Sequence, residues 1–198
     1  METLKQLPHN YLVLFAMFNA VGNLPILADL TGNLDKQQRN RMFRKAVVVA
    51  GGIVLAFAFF GDIMLRNIFD ISTSAFKIAG GILVFAVAAK GVLSGPSANQ
   101  IQSVSSHNIA VFPMGFPYLA GPGTILITTI LLIQINGNLL TALTVILVYL
   151  SILPILYLSP WVEKAIGKLG VMVIARILYK FICAKAVSLV LSGLHINL

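Results

Sequence analysis

The chain has 198 residues, of which 58% are hydrophobic and only 10% are charged, with a formal net charge of +8 at pH 7. An ordinary soluble domain contains about 25% charged residues, and residues 91–162 of this chain include none. This excludes a soluble domain, and because the basic residues are grouped at the ends of apolar runs, we expect no nucleic-acid partner. The sequence predicts an integral membrane protein surrounded by membrane lipid.

Six apolar runs are long enough for a helix that crosses a bilayer, which takes about 20 residues. Their length and continuity favour helices over the alternating strands of a membrane barrel. The runs are 12–30, 46–65, 76–93, 109–133, 139–162 and 177–194. The first run is interrupted by Asn19, Gly22 and Pro25, and its end carries Asp29 rather than a small-residue cleavage site. We therefore expect it to remain as a helix rather than act as a signal peptide. The predicted fold is an all-α polytopic membrane protein with six transmembrane helices.

A segment rich in Ser, Asn and Gln separates these runs into two groups of three. We interpret residues 1–95 as a first three-helix repeat, 96–108 as a polar linker and 109–198 as a second three-helix repeat. Segment 31–45 is polar and basic, and we expect it to connect the first two spans.

The distribution of Lys and Arg predicts the orientation of the chain in the membrane. Ten of them fall on one side of the predicted spans, namely Lys36, Arg39, Arg41, Arg44, Lys45, Lys90, Lys164, Lys168, Arg176 and Lys180. Only Lys5, Arg66 and Lys77 fall on the other side. The positive-inside rule places the first group in the cytoplasm and both termini outside it. The two three-helix halves then enter the membrane in opposite senses, as a 3+3 inverted repeat requires.

Two of the runs are interrupted by Gly, Pro and Asn early in each half of the chain. The first interruption reads Asn19-Ala20-Val21-Gly22-Asn23-Leu24-Pro25, and the second reads Ala120-Gly121-Pro122-Gly123-Thr124. Gly tolerates unusual backbone dihedrals and Pro removes a helical N–H, so both clusters favour local unwinding. We therefore predict that helices 1 and 4 are discontinuous, a pattern typical of a transporter binding site. The alternative is that the clusters serve only helix packing or kinks.

Such breaks would create a pocket of mixed polarity. A half-helix that begins after Gly22 or Gly121 directs N–H groups at an anion, and the half-helix before it offers carbonyl groups to a cation. Asn19 and Asn23 stand one helical turn apart, as do Thr124 and Thr128. The predicted partner is a small zwitterionic amino acid. The predicted substrate-binding residues are Asn19, Gly22, Asn23, Pro25, Ala120, Gly121, Pro122, Gly123, Thr124 and Thr128.

Catalytic patterns are not found in the sequence. Its three His residues lie near the ends of spans or in loops, and neither H-E-x-x-H nor G-x-S-x-G occurs. We expect no enzymatic activity, no catalytic residues, no metal site and no cofactor. A channel-like pore and a non-transporting membrane scaffold are the alternatives to a carrier.

Three stretches of this chain resemble the MarC/SnatA family of six-helix inner-membrane proteins over nearly the whole length. They are the first interruption at 19–25, the stretch Phe76-Lys77-Ile78-Ala79-Gly80-Gly81-Ile82-Leu83, and the stretch Pro117-Tyr118-Leu119-Ala120-Gly121-Pro122-Gly123-Thr124-Ile125. The resemblance implies a carrier of small neutral amino acids such as glycine and alanine, built as an inverted repeat with discontinuous first and fourth helices. It also implies the cytoplasmic (inner) membrane of a bacterium or archaeon. The coupling ion, H⁺ or Na⁺, and the oligomeric state are left open.

The chain departs from the family pattern in two places. Ala20 stands where the family usually has Pro, so we expect a less open first break. Tyr179, Lys180 and Lys185 replace a small-residue stretch of the last helix, which puts a packing surface there in question. We place Lys185 about five residues inside the cytoplasmic end, as a snorkelling anchor rather than a substrate ligand.

Overall fold

The structure is a computed structural model that describes residues 7–95, 109–135 and 138–195. The predicted linker 96–108 and both chain ends therefore lie outside the described residues. Every described element is helical. They are α1 (Leu7–Phe18), α2 (Ala20–Thr31), α3 (Lys36–Ile63) with a π-helical continuation (Met64–Ile68), α4 (Thr73–Ser94), a segment of wide π-type turns (Ala110–Leu119, the π segment), α5 (Pro122–Ile135) and α6 (Asn138–Gly193).

Several of these helices are long and apolar enough to cross a membrane. Within the described ranges they are Leu7–Thr31, Lys36–Ile68, Thr73–Ser94 and Leu139–Gly193. The bent pair Ala110–Leu119 and Pro122–Ile133 is also long and apolar enough when its two helices are taken together. Large apolar side chains such as Leu93 and Phe181 are exposed on the outside, as expected of a surface that faces lipid. The architecture is that of an all-α polytopic membrane protein.

The start of α3 differs from the prediction of a polar connection over 31–45. Asp35 and Gln38 form a reciprocal capping box, in which the Gln38 N–H donates to Asp35 Oδ1 at 2.8 Å. The basic residues that follow are good helix formers. The connection is therefore short, and α3 begins at Lys36, ten residues before the predicted apolar span.

The predicted fifth and sixth spans are joined in α6, which bends at Gly167. Gly167 has φ 72° and ψ 164°, a conformation that other residues rarely adopt. It divides α6 into a first arm, 138–166, and a second arm, 168–193. Each arm is longer than a helix of about 20 residues, the length that crosses a bilayer. The predicted connection 163–176 is therefore helical except at this glycine.

This division changes the expected place of Lys185. The second arm begins at 168 rather than at 177, so Lys185 lies in its later half. It lines a cavity together with Lys77 and Ser192, at the opposite end of the helix from Lys168. The prediction that Lys185 sits just inside the end marked by Lys164 and Lys168 is wrong, because the apolar run is only the later part of a longer helix.

The second arm of α6 packs against α4 through small residues. A Cβ added at Gly81 would lie 2.9 Å from the Ala186 carbonyl oxygen, and one added at Gly91 would lie 2.7 Å from the Tyr179 ring. Glycine permits these close approaches, as is common between membrane helices. This packing places the second arm of α6 beside α4 and near the helix breaks at Asn19 and Gly121.

Candidate binding site at two helix breaks

The first break is a single residue, Asn19, between α1 and α2. Asn19 has φ 49° and ψ 43°, the left-handed conformation that Asn tolerates better than most residues. Gly22 and Pro25 both lie inside α2, so the unwinding that was predicted over 19–25 is confined to Asn19. The Asn19 carboxamide folds over Gly22, where an added Cβ would overlap it. A Cβ at position 22 would therefore displace the Asn19 carboxamide, so Gly22 permits this close side-chain contact rather than an unwound backbone.

The second break lies at Ala120 and Gly121, where the chain bends by 58° between the π segment and α5. The Ala120 N–H donates to the Gly115 carbonyl at 2.7 Å, which closes the last wide turn. Pro122 begins α5, the position at which its missing N–H costs least. Thr124 donates its hydroxyl to the Gly121 carbonyl at 2.8 Å. The break thus matches the predicted position.

The two breaks meet at one cavity of about 100 Å³. Asn19 and Asn23 contribute to its wall from the first break, and Gly121, Pro122 and Gly123 contribute from the second. The rest of the wall consists of Met17, Phe18, Val84, Val87, Ala88, Pro117, Tyr118, Tyr179 and Ile182. A space of this size holds several water molecules or one solute of a few non-hydrogen atoms.

Asn23 joins three elements at this cavity. Its Nδ2 donates to the Tyr118 carbonyl at 2.9 Å and, over a longer 3.4 Å, to the Phe18 carbonyl. Its Oδ1 accepts the Tyr179 hydroxyl at 3.1 Å. Both donor hydrogens and one acceptor position of the carboxamide are therefore used by the protein itself. Asn23 holds the two breaks and the second arm of α6 together.

Asn19 has the opposite character. It is only 7% exposed, and neither Oδ1 nor Nδ2 has a hydrogen-bond partner among the described residues. A buried amide without partners is costly, and such groups call for an explanation. Because Asn19 lines the cavity, its carboxamide is the polar group available to a bound solute.

The start of α5 adds the second polar feature of the cavity. Gly123 lies in the first turn of the helix, where backbone N–H groups have no acceptor within the helix. The helix dipole also places partial positive charge at this end. The cavity therefore offers N–H donors on the α5 side and a carboxamide with both donor and acceptor atoms on the Asn19 side.

Five predicted site residues lie away from the cavity wall. Gly22 is buried within α2 beside the Asn19 side chain and does not line the cavity. Pro25 borders a separate crevice of about 10 Å³ with Glu163 and Lys168. Ala120 and Thr124 are buried behind the second break, where they complete its backbone hydrogen bonds. Thr128 is fully buried one turn further along α5, and its hydroxyl has no partner in the described part of the chain.

Two tyrosines that were not predicted to bind are close to the breaks. The Tyr179 ring is buried and its hydroxyl donates to Asn23 Oδ1. A residue that departs from the family pattern therefore forms the packing surface that the sequence put in question. The Tyr149 hydroxyl donates to the Leu119 carbonyl at 3.1 Å, and its ring packs edge-on against Phe18, with centroids 4.8 Å apart. A buried tyrosine usually finds a hydrogen-bond partner. A tyrosine within an apolar run is therefore the sequence signal that could have pointed to these two residues.

Known proteins similar to this chain are membrane proteins of bacteria and archaea. A UPF0056 membrane protein of Methanocaldococcus jannaschii is 32% identical over 190 residues, covering 92% of this chain and 92% of its own. A UPF0056 membrane protein of Archaeoglobus fulgidus is 32% identical over 195 residues, covering 93% and 90%. UPF0056 membrane protein YvbG of Bacillus subtilis is 29% identical over 200 residues, covering 94% and 92%. No solved structure matches the chain significantly.

The family described as MarC family integral membrane protein matches residues 4–198. This match covers almost the whole chain and includes both helix breaks and the glycine-rich stretch of α4. The resemblance predicted from the three sequence stretches is confirmed, and the chain belongs to the MarC family of integral membrane proteins.

Proposed function

We propose that the protein is a carrier of small neutral amino acids, such as glycine and alanine, that works by alternating access. The observation that carries this proposal is the single cavity between the two helix breaks, with the unpartnered Asn19 carboxamide on one side and the start of α5 on the other. Paired helix breaks around a central site are a common design of membrane transporters. Both broken elements contribute to the same wall, which favours a binding function over packing alone.

The proposed arrangement has six spans in a 3+3 inverted repeat. The spans are the pair α1 and α2, then α3, then α4, then the π segment with α5, and finally the two arms of α6. The broken spans are then the first member of each group of three, as an inverted repeat with discontinuous helices 1 and 4 requires. The two repeats correspond to residues 1–95 and 109–198.

The chemistry of the wall suits a zwitterion. A carboxylate near Gly123 would accept hydrogen bonds from the first turn of α5. An ammonium group near Asn19 would donate to Oδ1 of the carboxamide. Met17, Val84 and Ile182 form an apolar wall that leaves space for a small side chain only. This arrangement binds glycine or alanine and excludes larger amino acids by volume.

The coupling ion, H⁺ or Na⁺, is not specified by this proposal. The described side chains of the cavity wall include neither Asp nor Glu, so a bound cation would rest on amide and carbonyl oxygens. We place the protein in the cytoplasmic membrane of a bacterium or archaeon with both termini outside the cytoplasm. The proposal includes no enzymatic step.

The test is transport of labelled glycine and alanine into vesicles that contain the purified protein. In Gly22→Val the new side chain overlaps the Asn19 carboxamide, and in Gly121→Val its Cβ lies 3.0 Å from the Pro117 carbonyl. Both variants should insert into the membrane and lose saturable flux. The matched control is Gly51→Ala, whose Cβ would lie 3.6 Å from the Tyr149 ring, an ordinary contact. It should transport like the wild type.

Other outcomes distinguish the alternatives. Flux that does not saturate would indicate a channel-like pore, and a complete lack of flux in the wild type would indicate a scaffold. If both valine variants transport normally, the cavity at the breaks is not the binding site.

A further inference from the structure

A long apolar groove runs along α1 beside the second arm of α6. Its volume is about 540 Å³, and its walls include Leu12, Phe15, Ala16, Val21, Leu178 and Phe181. These side chains would meet water in a soluble protein. In a chain that belongs to a membrane family they face lipid, and a groove of this shape accommodates a flexible apolar chain.

A smaller polar pocket of about 170 Å³ adjoins one end of the groove. His9, Val13 and Lys185 line both spaces, so the groove and the pocket lie on either side of the same three side chains. The polar side of the pocket also includes Lys77 and Ser192. The combined space is therefore apolar along its length and polar at one end.

The polar pocket carries uncompensated positive charge. Lys77 donates to the Ser192 hydroxyl at 3.2 Å, which leaves the charge of its ammonium group unneutralised. None of the described side chains that line the pocket is acidic. Lys77 and Lys185 together therefore make the pocket attractive to an anion.

Asn10 provides an independent sign of a ligand in the same pocket. It is 5% exposed, and its Nδ2 has no hydrogen-bond acceptor among the described residues. An unpartnered buried amide donor that lines a cationic pocket is satisfied by an anionic oxygen. The pocket thus presents two ammonium groups and one amide donor.

We propose that the groove and the pocket together form a binding site for an anionic phospholipid. Its phosphate lies at Lys77, Lys185 and Asn10, and one acyl chain follows α1 toward Asn19. Two ammonium groups and an amide donor form charge-assisted hydrogen bonds with a phosphate, and long lysine side chains reach the level of lipid head groups from within the apolar layer. A free phosphate ion would fill only the pocket and leave the apolar groove empty. This inference does not depend on the proposed transport activity.

The test is native mass spectrometry of the purified protein with phosphatidylglycerol or phosphatidylcholine. The wild type should retain phosphatidylglycerol in preference to phosphatidylcholine. Lys77→Leu and Lys185→Leu should each weaken retention of phosphatidylglycerol about fivefold, the factor that one basic residue contributes at an anionic membrane surface. Ala16→Trp fills the groove and should weaken the binding of both lipids.

The matched control is Lys180→Leu, which removes an exposed charge of the same helix arm outside both spaces and should bind like the wild type. Circular dichroism of each variant checks that it is folded. Equal retention of the two lipids by the wild type would overturn the proposal, as would unchanged binding in the folded Lys77→Leu, Lys185→Leu double variant. Displacement of phosphatidylglycerol by inorganic phosphate, together with normal binding by Ala16→Trp, would assign a free-anion site instead.

Discussion

The hydrogen bond between Tyr179 and Asn23 gives a sharp test of how the two breaks are held together. Its atoms are 156 residues apart in the sequence and 3.1 Å apart in the structure. The relevant variants are Asn23→Ala, Tyr179→Phe and the double variant. Because Phe retains the ring, Tyr179→Phe removes only the hydroxyl.

The expected magnitudes follow from the bonds that each change removes. Asn23→Ala removes two hydrogen bonds of ordinary length and one long one, and it leaves the buried Tyr179 hydroxyl without its partner. Together these effects should lower the free energy of unfolding by about 2 kcal/mol. Tyr179→Phe should lower it by about 1 kcal/mol. For a chain of this length each kcal/mol corresponds to about 2–4 °C in the unfolding midpoint.

Thermal unfolding of the purified variants in detergent measures these shifts. In the Asn23→Ala background the Tyr179 hydroxyl no longer has an acceptor, so adding Tyr179→Phe should change the midpoint little or raise it. Tyr157→Phe is the matched control, because the Tyr157 hydroxyl makes no hydrogen bond to any described residue. If Tyr179→Phe lowers the midpoint equally in both backgrounds, the inferred coupling between the two side chains is wrong.

Two further predictions concern α6 and the orientation of the chain. Gly167→Ala places a Cβ at φ 72° and ψ 164°, a backbone region that is essentially limited to Gly, and should lower the free energy of unfolding by about 1–3 kcal/mol. Gly52→Ala is the control, at an exposed helical glycine with nothing within 4 Å of the added Cβ, and should be neutral or slightly stabilising. Equal midpoints for the two variants would contradict the expected strain at Gly167. A reporter that is active only in the cytoplasm should be active when fused after Lys168 and silent when fused after Leu198. Leu198 lies beyond the described residues. Reporter activity at Leu198 would contradict the orientation that the positive charges predict.

The sequence predicted those features of the fold that follow from composition. The membrane class and the second break at Gly121 follow from apolar length and from Gly and Pro placement. The extent of the first break did not follow, because one left-handed residue, Asn19, is enough to interrupt the helix. Gly22 and Pro25 remain helical and are buried within α2, and tertiary packing is not visible in a local pattern.

The candidate site was likewise predicted from the sequence only in part. Asn19, Asn23 and Gly121 were predicted at the cavity and lie there. Thr128 was placed with them by spacing alone, although spacing does not show which face of α5 meets the first break. The contribution of Tyr179 could not be predicted, because it depends on the bend at Gly167 that brings the end of the chain back to its beginning.

The hydrogen bonds of the Asn23 carboxamide also affect how water can enter the site. Any motion that separates the two breaks removes the Tyr118 carbonyl from Nδ2, and any motion of the second arm removes the Tyr179 hydroxyl from Oδ1. The atoms released are buried, so they remain without partners until water reaches them. Separation of the breaks is therefore unfavourable unless water reaches these atoms as they part. These four atoms, two donors and two acceptors, thus oppose any separation of the breaks that leaves them without water.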